Sequence, residues 1–557
     1  MDHGHDSVNG PALPRPGPVS GQTVSGQTVP VLAVPVQTVA MLAVVVLAVV
    51  LRLRHAAASM VFDEMASLYF SGQPWRHLWG WWMVRETNPP LFYSLLKLWR
   101  AAVPMGHWTL RALPLAIGFA QLALFGWLLR ARLGWPAAVL GLLLSAVAWS
   151  DIYQAAYLRG YGLARIAVTV SFIGLVIALE ARGARPERSP ARGWALFVTG
   201  AVIAIYCHTT MVLWPVIATL AVLAEAAIWR AIAWRQLGAL ILADLVTMVL
   251  SGWVLVMALA QLHSMRAANI AWLEPLGWAD FAQTCNLQLL TGGLGSAALM
   301  GVLIAAGLWR ARHMQMVRLA AAIAALTVAV FKATDTIHPI VSDFTLHWAF
   351  GFTALVAAAA LASTPGKAAP GRPVLRRAAA IGVIGAMALT GLIDLLWVDY
   401  IGVPQDFRQT LRTVAMHPGA ALLASHEAEG VVIEQACLVE FGHTPGRPPC
   451  PFPLVVLTDP KPTDNWAFGG YQGQLVPPPA ARAALGGART VYAFSRYYYT
   501  PLQHLGLDPG DWHEMFWDDG ELIGPIPVSA FDPPAPGEPP RVPDPHAEYT
   551  GAPDSGG

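Results

Sequence analysis

The sequence predicts an α-helical polytopic membrane protein that ends in a small extracytoplasmic α/β domain. Three observations predict it. Of its 557 residues, 55% are hydrophobic and only 12% are charged, whereas the charged fraction of a soluble chain is nearer a quarter. Hydropathy picks out about eleven stretches of membrane-spanning length, roughly 31–51, 111–130, 135–150, 161–180, 194–208, 210–228, 238–258, 290–309, 317–332, 344–362 and 378–397. From about residue 401 onward the composition is that of a soluble domain, rich in Pro and Gly. A net charge of +1 leaves no electrostatic footprint for nucleic acid. Lys is scarce beside Arg and Ala, which points to a bacterium with a GC-rich genome.

Residues 1–30 are rich in Gly, Pro, Ser, Thr and Val and repeat Ser-Gly-Gln-Thr-Val. They lack the charged start and small-residue cleavage site of a signal peptide and read as a disordered cytoplasmic tail. The spans and their loops, 31–400, form the membrane module. Its first outer loop, 52–110, carries Trp75, Trp79, Trp81 and Trp82. Trp prefers the membrane interface, so short interfacial helices are expected there. Between the fifth and sixth spans, Tyr206-Cys207-His208-Thr209-Thr210 is a thin divider.

Charge asymmetry orients the chain. Loops after even-numbered spans carry the basic residues: Arg130 and Arg132; Arg182, Arg185, Arg188 and Arg192; Arg230 and Arg235; Arg310 and Arg312; and Lys367, Arg372, Arg376 and Arg377. The short loops after odd-numbered spans carry little: Arg159, Arg266 and Lys332. The N-terminus is therefore expected in the cytoplasm and everything after about 398 outside a bacterial inner membrane. The exported part reads as an α/β domain over 401–530 and a Pro-rich disordered tail over 531–557. Gln405 to Met416 has the pattern of an amphipathic helix, and Val431-Val432-Ile433, Leu454 to Leu457 and Val491 to Phe494 read as β-like runs. Cys437 and Cys450 fall in this exported domain, where a disulfide persists. Cys207 and Cys285 read as ordinary membrane or loop residues.

The polar residues gather on one face. Asp63, Glu64, Arg85, Glu86 and Asn88 lie in the first outer loop, and Asp151, Tyr153, Tyr157, Arg159 and Tyr161 at the second outer turn. His208 lies at the third, His263, Arg266 and Glu274 at the fourth, and Lys332, Asp335, His338, Asp343 and His347 around the fifth. Ionisable groups at membrane depth are costly and mark functional sites by default. A carboxylate beside an apolar surface suits a general base acting on a hydroxyl or amine. Arg159, Arg85 and Lys332 suit a phosphate, whose developing charge fixed cations stabilise well at low dielectric. Together these point to transfer from a lipid-linked phosphate donor at the outer membrane face, with no cofactor and no evident metal-ligand set.

Four features carry a resemblance. Phe62-Asp63-Glu64 follows the first span and is succeeded by Asn88-Pro89-Pro90-Leu91-Phe92-Tyr93; then come Tyr153-Gln154-Ala155-Ala156-Tyr157-Leu158-Arg159-Gly160-Tyr161 and Tyr206-Cys207-His208. The fourth is the layout of many spans before an exported domain. In this order they resemble the GT-C superfamily of polyprenyl-phosphate-dependent glycosyltransferases. The bacterial branch related to protein O-mannosyltransferases and the aminoarabinose transferase of lipid A is the most similar. The chain departs from the family's pattern at Tyr157, where a Glu is expected, at Thr209 after His208, and at Asp343-Phe344 before the late span. The resemblance implies a GT-C-like fold and transfer of a sugar, with inversion, from a polyprenyl-phosphate donor to a protein, lipid or glycan acceptor. It casts Asp63, with Glu64 as second candidate, as the base, and Arg159 with Tyr161, Lys332 and Arg85 as the phosphate holders. Glu86, Asn88, Asp151, His208 and His338 complete the candidates. Two other classes stay open: a transporter or flippase, which would show paired repeats and midplane charges, and a non-catalytic membrane scaffold.

Overall fold

A computed structural model describes residues 36–180, 189–264, 274–342, 344–362, 373–398, 407–442, 446–458, 475–495, 502, 505–507, 514–517 and 520–532. After α1 (Val36–Ala56), the long first loop folds into α2 (Phe62–Gly72), α3 (Trp75–Leu78), a 3-10 turn (Trp81–Arg85) and α4 (Leu91–Ala102). The helices are short, and Trp75, Trp79 and Trp81 are exposed on them. Lys97 and Arg100 of α4 hold the end of α2, donating to Gln73 O at 2.9 Å and Ser71 Oγ at 2.8 Å.

The bundle continues with α5 (His107–Leu133), α6 (Trp135–Val147), α7 (Trp149–Ala156), α8 (Tyr161–Glu180), α9 (Pro190–Cys207), α10 (Leu213–Trp229), α11 (Trp234–Leu250) and α12 (Gly252–Ser264). Then follow α13 (Trp278–Leu289), α14 (Leu294–Ala311), α15 (Gln315–Ile337), α16 (Phe350–Ala358) and α17 (Pro373–Val398). Eight helical segments among the described residues are long and apolar enough to cross a membrane. Two pairs bring the number to ten: α6 with α7, bent by 68°, and α11 with α12, bent by 66°. The expected stretch 344–362 is instead a short helix over His347–Leu361, and nearly all of α16 is buried in protein. A helix that is apolar all round has the same hydropathy whether lipid or protein surrounds it, so composition overcounts here. Far from the first outer loop, Arg132 pairs with Glu180 at 2.6 Å, tying the end of α5 to the end of α8. Glycines let α8 and α9 touch: a Cβ on Gly200 would lie 2.4 Å from Ala167 O, the close approach that small residues allow between membrane helices.

The C-terminal domain contains α18 (Phe407–Met416), β1 (Ala420–Ala424), α19 (Glu427–Phe441), β2 (Leu454–Leu457), β3 (Leu475–Val476), α20 (Ala481–Leu485), β4 (Thr490–Ser495), β5 (Glu514–Trp517) and β6 (Gly520–Pro527). The strands form one sheet in the order β3-β2-β1-β4-β6-β5, the first four pairing in parallel and β6 pairing antiparallel with both β4 and β5. Side chains alternate between its faces as pleating requires. Leu422, Val456 and Tyr492 enter one apolar core, and Leu423, Val455 and Val491 the other. The run Val431-Val432-Ile433 is not a strand but part of α19. Its side chains are buried all round, and His426 Nδ1 caps the helix by accepting from Glu429 N at 3.3 Å. β-branched residues fill an enclosed helix as well as a strand, so the local pattern misleads.

The first core also contains Met65 and Phe70 of α2, with Leu411 of α18 and Val432 and Ile433 of α19. The C-terminal domain thus packs directly on the segment that bears Asp63. Cys437 and Cys450 form a disulfide, tying α19 to the approach to β2 across a separation of 13 residues. A loop of this length is worth about 3 kcal/mol on chain-entropy grounds. Cys437→Ser is expected to lower the thermal midpoint of the purified protein by as much as reductant lowers that of the wild type, and reductant should not shift the variant further.

Candidate active site

The site is built around two arginines. Arg111, near the start of α5, is buried and fully engaged. It donates to the carbonyls of Ala56 at 2.9 Å, Ala58 at 2.6 Å and Ser59 at 2.9 Å, and grips Glu64 through Nε at 3.2 Å and Nη2 at 2.6 Å. Glu64 is 1% exposed and also accepts from Val61 N at 3.0 Å and Leu158 N at 3.1 Å. Both of its oxygens are therefore committed to structure. Glu64 closes the α1–α2 turn and holds the loop 157–160 against α2; it is not the open carboxylate expected of a base. Asp63, its neighbour, points the other way and keeps 40% of its side chain exposed.

The loop held by Glu64 delivers Arg159. Its Nη2 lies 2.9 Å from Asp63 Oδ1, and its Nη1 donates to Tyr93 Oη at 2.9 Å and to Glu86 Oε1 at 3.4 Å. Tyr157 donates to Asp63 Oδ2 at 2.8 Å, and Tyr93 donates to Glu86 Oε1 at 2.9 Å. Asn88 adds its backbone N–H at 3.1 Å and its Nδ2 at 2.8 Å to the same Glu86 oxygen. The following glycine is needed: a Cβ at Gly160 would fall 2.6 Å from Cys207 O. Burial pulls the Arg159 guanidinium down, but Asp63, Tyr93 and Glu86 outweigh it and hold its pKa well above the ordinary arginine range. Burial first, and the carboxylate of Glu86 or Asp63 after it, keeps Tyr93 and Tyr157 protonated and donating. Arg159 is only 10% exposed, yet its Nε–H has no acceptor among the described residues. A buried donor left without a partner is uncommon and calls for a ligand or a functional cause.

An aromatic wall flanks this cluster. Tyr157 and Tyr161 stack at 6.1 Å, Tyr153 and Phe344 at 5.0 Å, and Tyr161 lies 4.8 Å from the His208 ring. His208 follows α9 and accepts from Thr210 N at 3.3 Å through Nδ1, which leaves the proton on Nε2. Burial and then the charge of Arg159 push its pKa down to about 3. A histidine that titrates near 6.5 when unfolded and near 3 when folded binds more protons unfolded across that window. Stability therefore rises with pH there. The thermal midpoint is expected to fall as pH drops from about 6.5, and His208→Gln to flatten that fall, in melts recorded across the range.

The other candidates lie elsewhere. Lys332 is buried over the rings of Trp278 at 5.1 Å and Phe281 at 5.3 Å and donates to Leu276 O; no bond links it to Arg159. Asp151 is enclosed in the bundle, paired with Arg165 and 3.2 Å from His347 Nε2. His338 ends α15 beside Pro339 O. The side chains of Arg85 and His263, and Arg266 and Asp343 entirely, lie outside the described residues. Of the candidates, Asp63, Glu86, Asn88, Arg159, Tyr161 and His208 share one site. Sequence reasoning passed over Arg111, whose signal is a lone cation at the start of an apolar span. It also passed over Tyr93, visible only as a member of a motif, gathered Tyr157 on the same face without giving it a role, and missed Gln261, which carries no local signal.

The long apolar helices make this a multi-pass membrane protein, with a half-exposed carboxylate beside a nearly buried, under-satisfied guanidinium at one end of the bundle. Among the solved structures that resemble it is ArnT from Cupriavidus metallidurans in the apo state, with a TM-score of 0.57 and 14% identity over 90% of this chain and 100% of that one. ArnT from the same organism bound to undecaprenyl phosphate matches with a TM-score of 0.57 at 13% identity, over 89% of this chain and 99% of that one. At such identity the likeness is one of fold. No protein-family model and no curated protein matches the sequence.

Proposed function

We propose that this protein is a membrane glycosyltransferase that moves a sugar, with inversion, from a polyprenyl-phosphate donor to an acceptor outside the cytoplasm of a bacterium. The observation that carries this is Arg159: a buried guanidinium with an unused N–H, set 2.9 Å from a half-exposed carboxylate. The fold shared with a protein solved with undecaprenyl phosphate agrees with it, as does the loop charge that orients this face outward.

Without donor, Arg159 is occupied by Asp63. A donor phosphate competes for the guanidinium and releases the carboxylate. The acceptor hydroxyl or amine then attacks the anomeric carbon as Asp63 takes its proton. The bond from that carbon to the phosphate oxygen breaks, and its electron pair leaves with the polyprenyl phosphate. The leaving group gains one negative charge, and Arg159, fixed in a dry setting, is placed to stabilise it. Tyr157 orients Asp63, while Glu64 and Arg111 act only by holding the loop. Purified protein in liposomes, given radiolabelled polyprenyl-phosphate sugars and envelope acceptors, is expected to transfer label, and Arg159→Ala to lose transfer by about 10²–10³-fold. Transfer unaffected by Arg159→Ala would overturn the assignment.

A further inference from the structure

The two sides of the Arg159 guanidinium are used differently. In a planar guanidinium, Nε–H and one N–H of Nη2 lie parallel on one edge, the pair that takes two oxygens of a phosphate side by side. On that edge Nη2 meets Asp63 Oδ1 at 2.9 Å, and Nε–H has no acceptor among the described residues. Nη1 lies on the other side and donates to Tyr93 Oη at 2.9 Å and to Glu86 Oε1 at 3.4 Å. Glu86 anchors this second side. It is buried, and the same Oε1 gathers Tyr93 Oη at 2.9 Å, Asn88 Nδ2 at 2.8 Å and Asn88 N at 3.1 Å. Its backbone is held as well: Gln261 Nε2, from α12, donates to Glu86 O at 2.5 Å and to Val84 O at 3.3 Å. The Tyr93 ring is buried 5.3 Å from that of Phe70 on α2, so packing fixes it too.

We infer that Glu86 is a positioning residue for the transfer: with Tyr93 it grips Nη1 and so aims the Nε–Nη2 edge of Arg159 at the donor's phosphate. The inference rests on the polyprenyl-phosphate reading above. In that reading Asp63 leaves Nη2 as the phosphate arrives. A long side chain that lost its only anchor at that moment would regain its rotamers, and the phosphate would have to order it again. The grip on Nη1 removes that cost, because it does not involve the edge that changes partners. Glu86 touches no reacting atom; it acts through Arg159. What it supplies is a hydrogen-bond acceptor at a fixed place, so an uncharged residue with an oxygen at the same place serves in its stead.

The test measures the affinity of full-length protein in nanodiscs for undecaprenyl phosphate, with a thermal melt of each sample. Glu86→Ala is expected to weaken binding by about tenfold, the worth of one hydrogen bond to a charged group. Glu86→Gln, which presents one oxygen to the same donors, is expected to recover most of that loss. Tyr93→Phe removes a single oxygen and is expected to weaken binding by about fivefold; it carries the test if Glu86→Ala does not fold. A merely structural role would lower the thermal midpoint and the folded fraction but leave the affinity of the folded protein unchanged. Wild-type affinity in folded Glu86→Ala or in Tyr93→Phe would overturn the inference, as would a Glu86→Gln protein that binds no better than Glu86→Ala. Wild-type protein that binds no undecaprenyl phosphate, or binding that survives Arg159→Ala, would instead overturn the donor reading on which it rests.

Discussion

Asp63→Asn is expected to lower kcat for sugar transfer by about 10²–10⁴-fold, the usual worth of a positioned proton acceptor, without raising the KM for the donor. Asparagine still accepts the hydrogen bond that Tyr157 makes at 2.8 Å, so the site keeps its shape. It cannot accept the acceptor's proton, and it no longer competes as an anion for Arg159. Donor affinity should therefore hold or improve while turnover collapses. This split separates a base from a residue that only shapes the pocket, whose loss would raise KM as well. Steady-state kinetics with donor varied at saturating acceptor measures both constants. Wild-type turnover in the variant would remove Asp63 from the chemistry.

The second large effect belongs to its neighbour and is one of stability. Glu64→Ala leaves Arg111 charged, 4% exposed and without its carboxylate. Breaking one side of such a buried pair costs about 3–5 kcal/mol. It also frees Leu158 N, and with it the loop that carries Arg159. The thermal midpoint should fall sharply, and activity should be lost in step with it. Glu64→Gln, which keeps a side-chain acceptor for the backbone donors, should lose less of both. A Glu64→Ala protein that is fully stable yet inactive would restore Glu64 as a catalytic candidate.

These two adjacent carboxylates show where sequence reading reaches its limit. Asp63 and Glu64 have the same chemistry, and nothing local tells them apart. They diverge because α2 is helical from Phe62, so consecutive side chains point about 100° apart: one is enclosed with Arg111 and the other meets Arg159 and Tyr157 at a partly open edge. The membrane bundle was legible because hydropathy reports burial directly, and it failed only at α16, where burial is by protein. Asp63, Glu86, Asn88, Arg159, Tyr161 and His208 could be gathered because each sits in a motif bound to one outer turn. Lys332, Asp151 and His338 are ionisable and near span ends as most of those residues are, but lie in other places. The partners that claim them, Trp278 and Leu276 O, Arg165 and His347, and Pro339 O, come from tertiary packing. Gln261 is reached only across 175 residues, a juxtaposition that no local pattern encodes.

The central claim is that Arg159 holds the donor's phosphate beside Asp63. The most direct measurement is an experimental structure of the full chain in nanodiscs with undecaprenyl phosphate bound. The account predicts phosphate density against the Arg159 guanidinium, Nε included, with Asp63 displaced from it and turned toward the open side. Phosphate bound elsewhere, for instance at Lys332 between Trp278 and Phe281, with the Arg159–Asp63 pair intact, would contradict it.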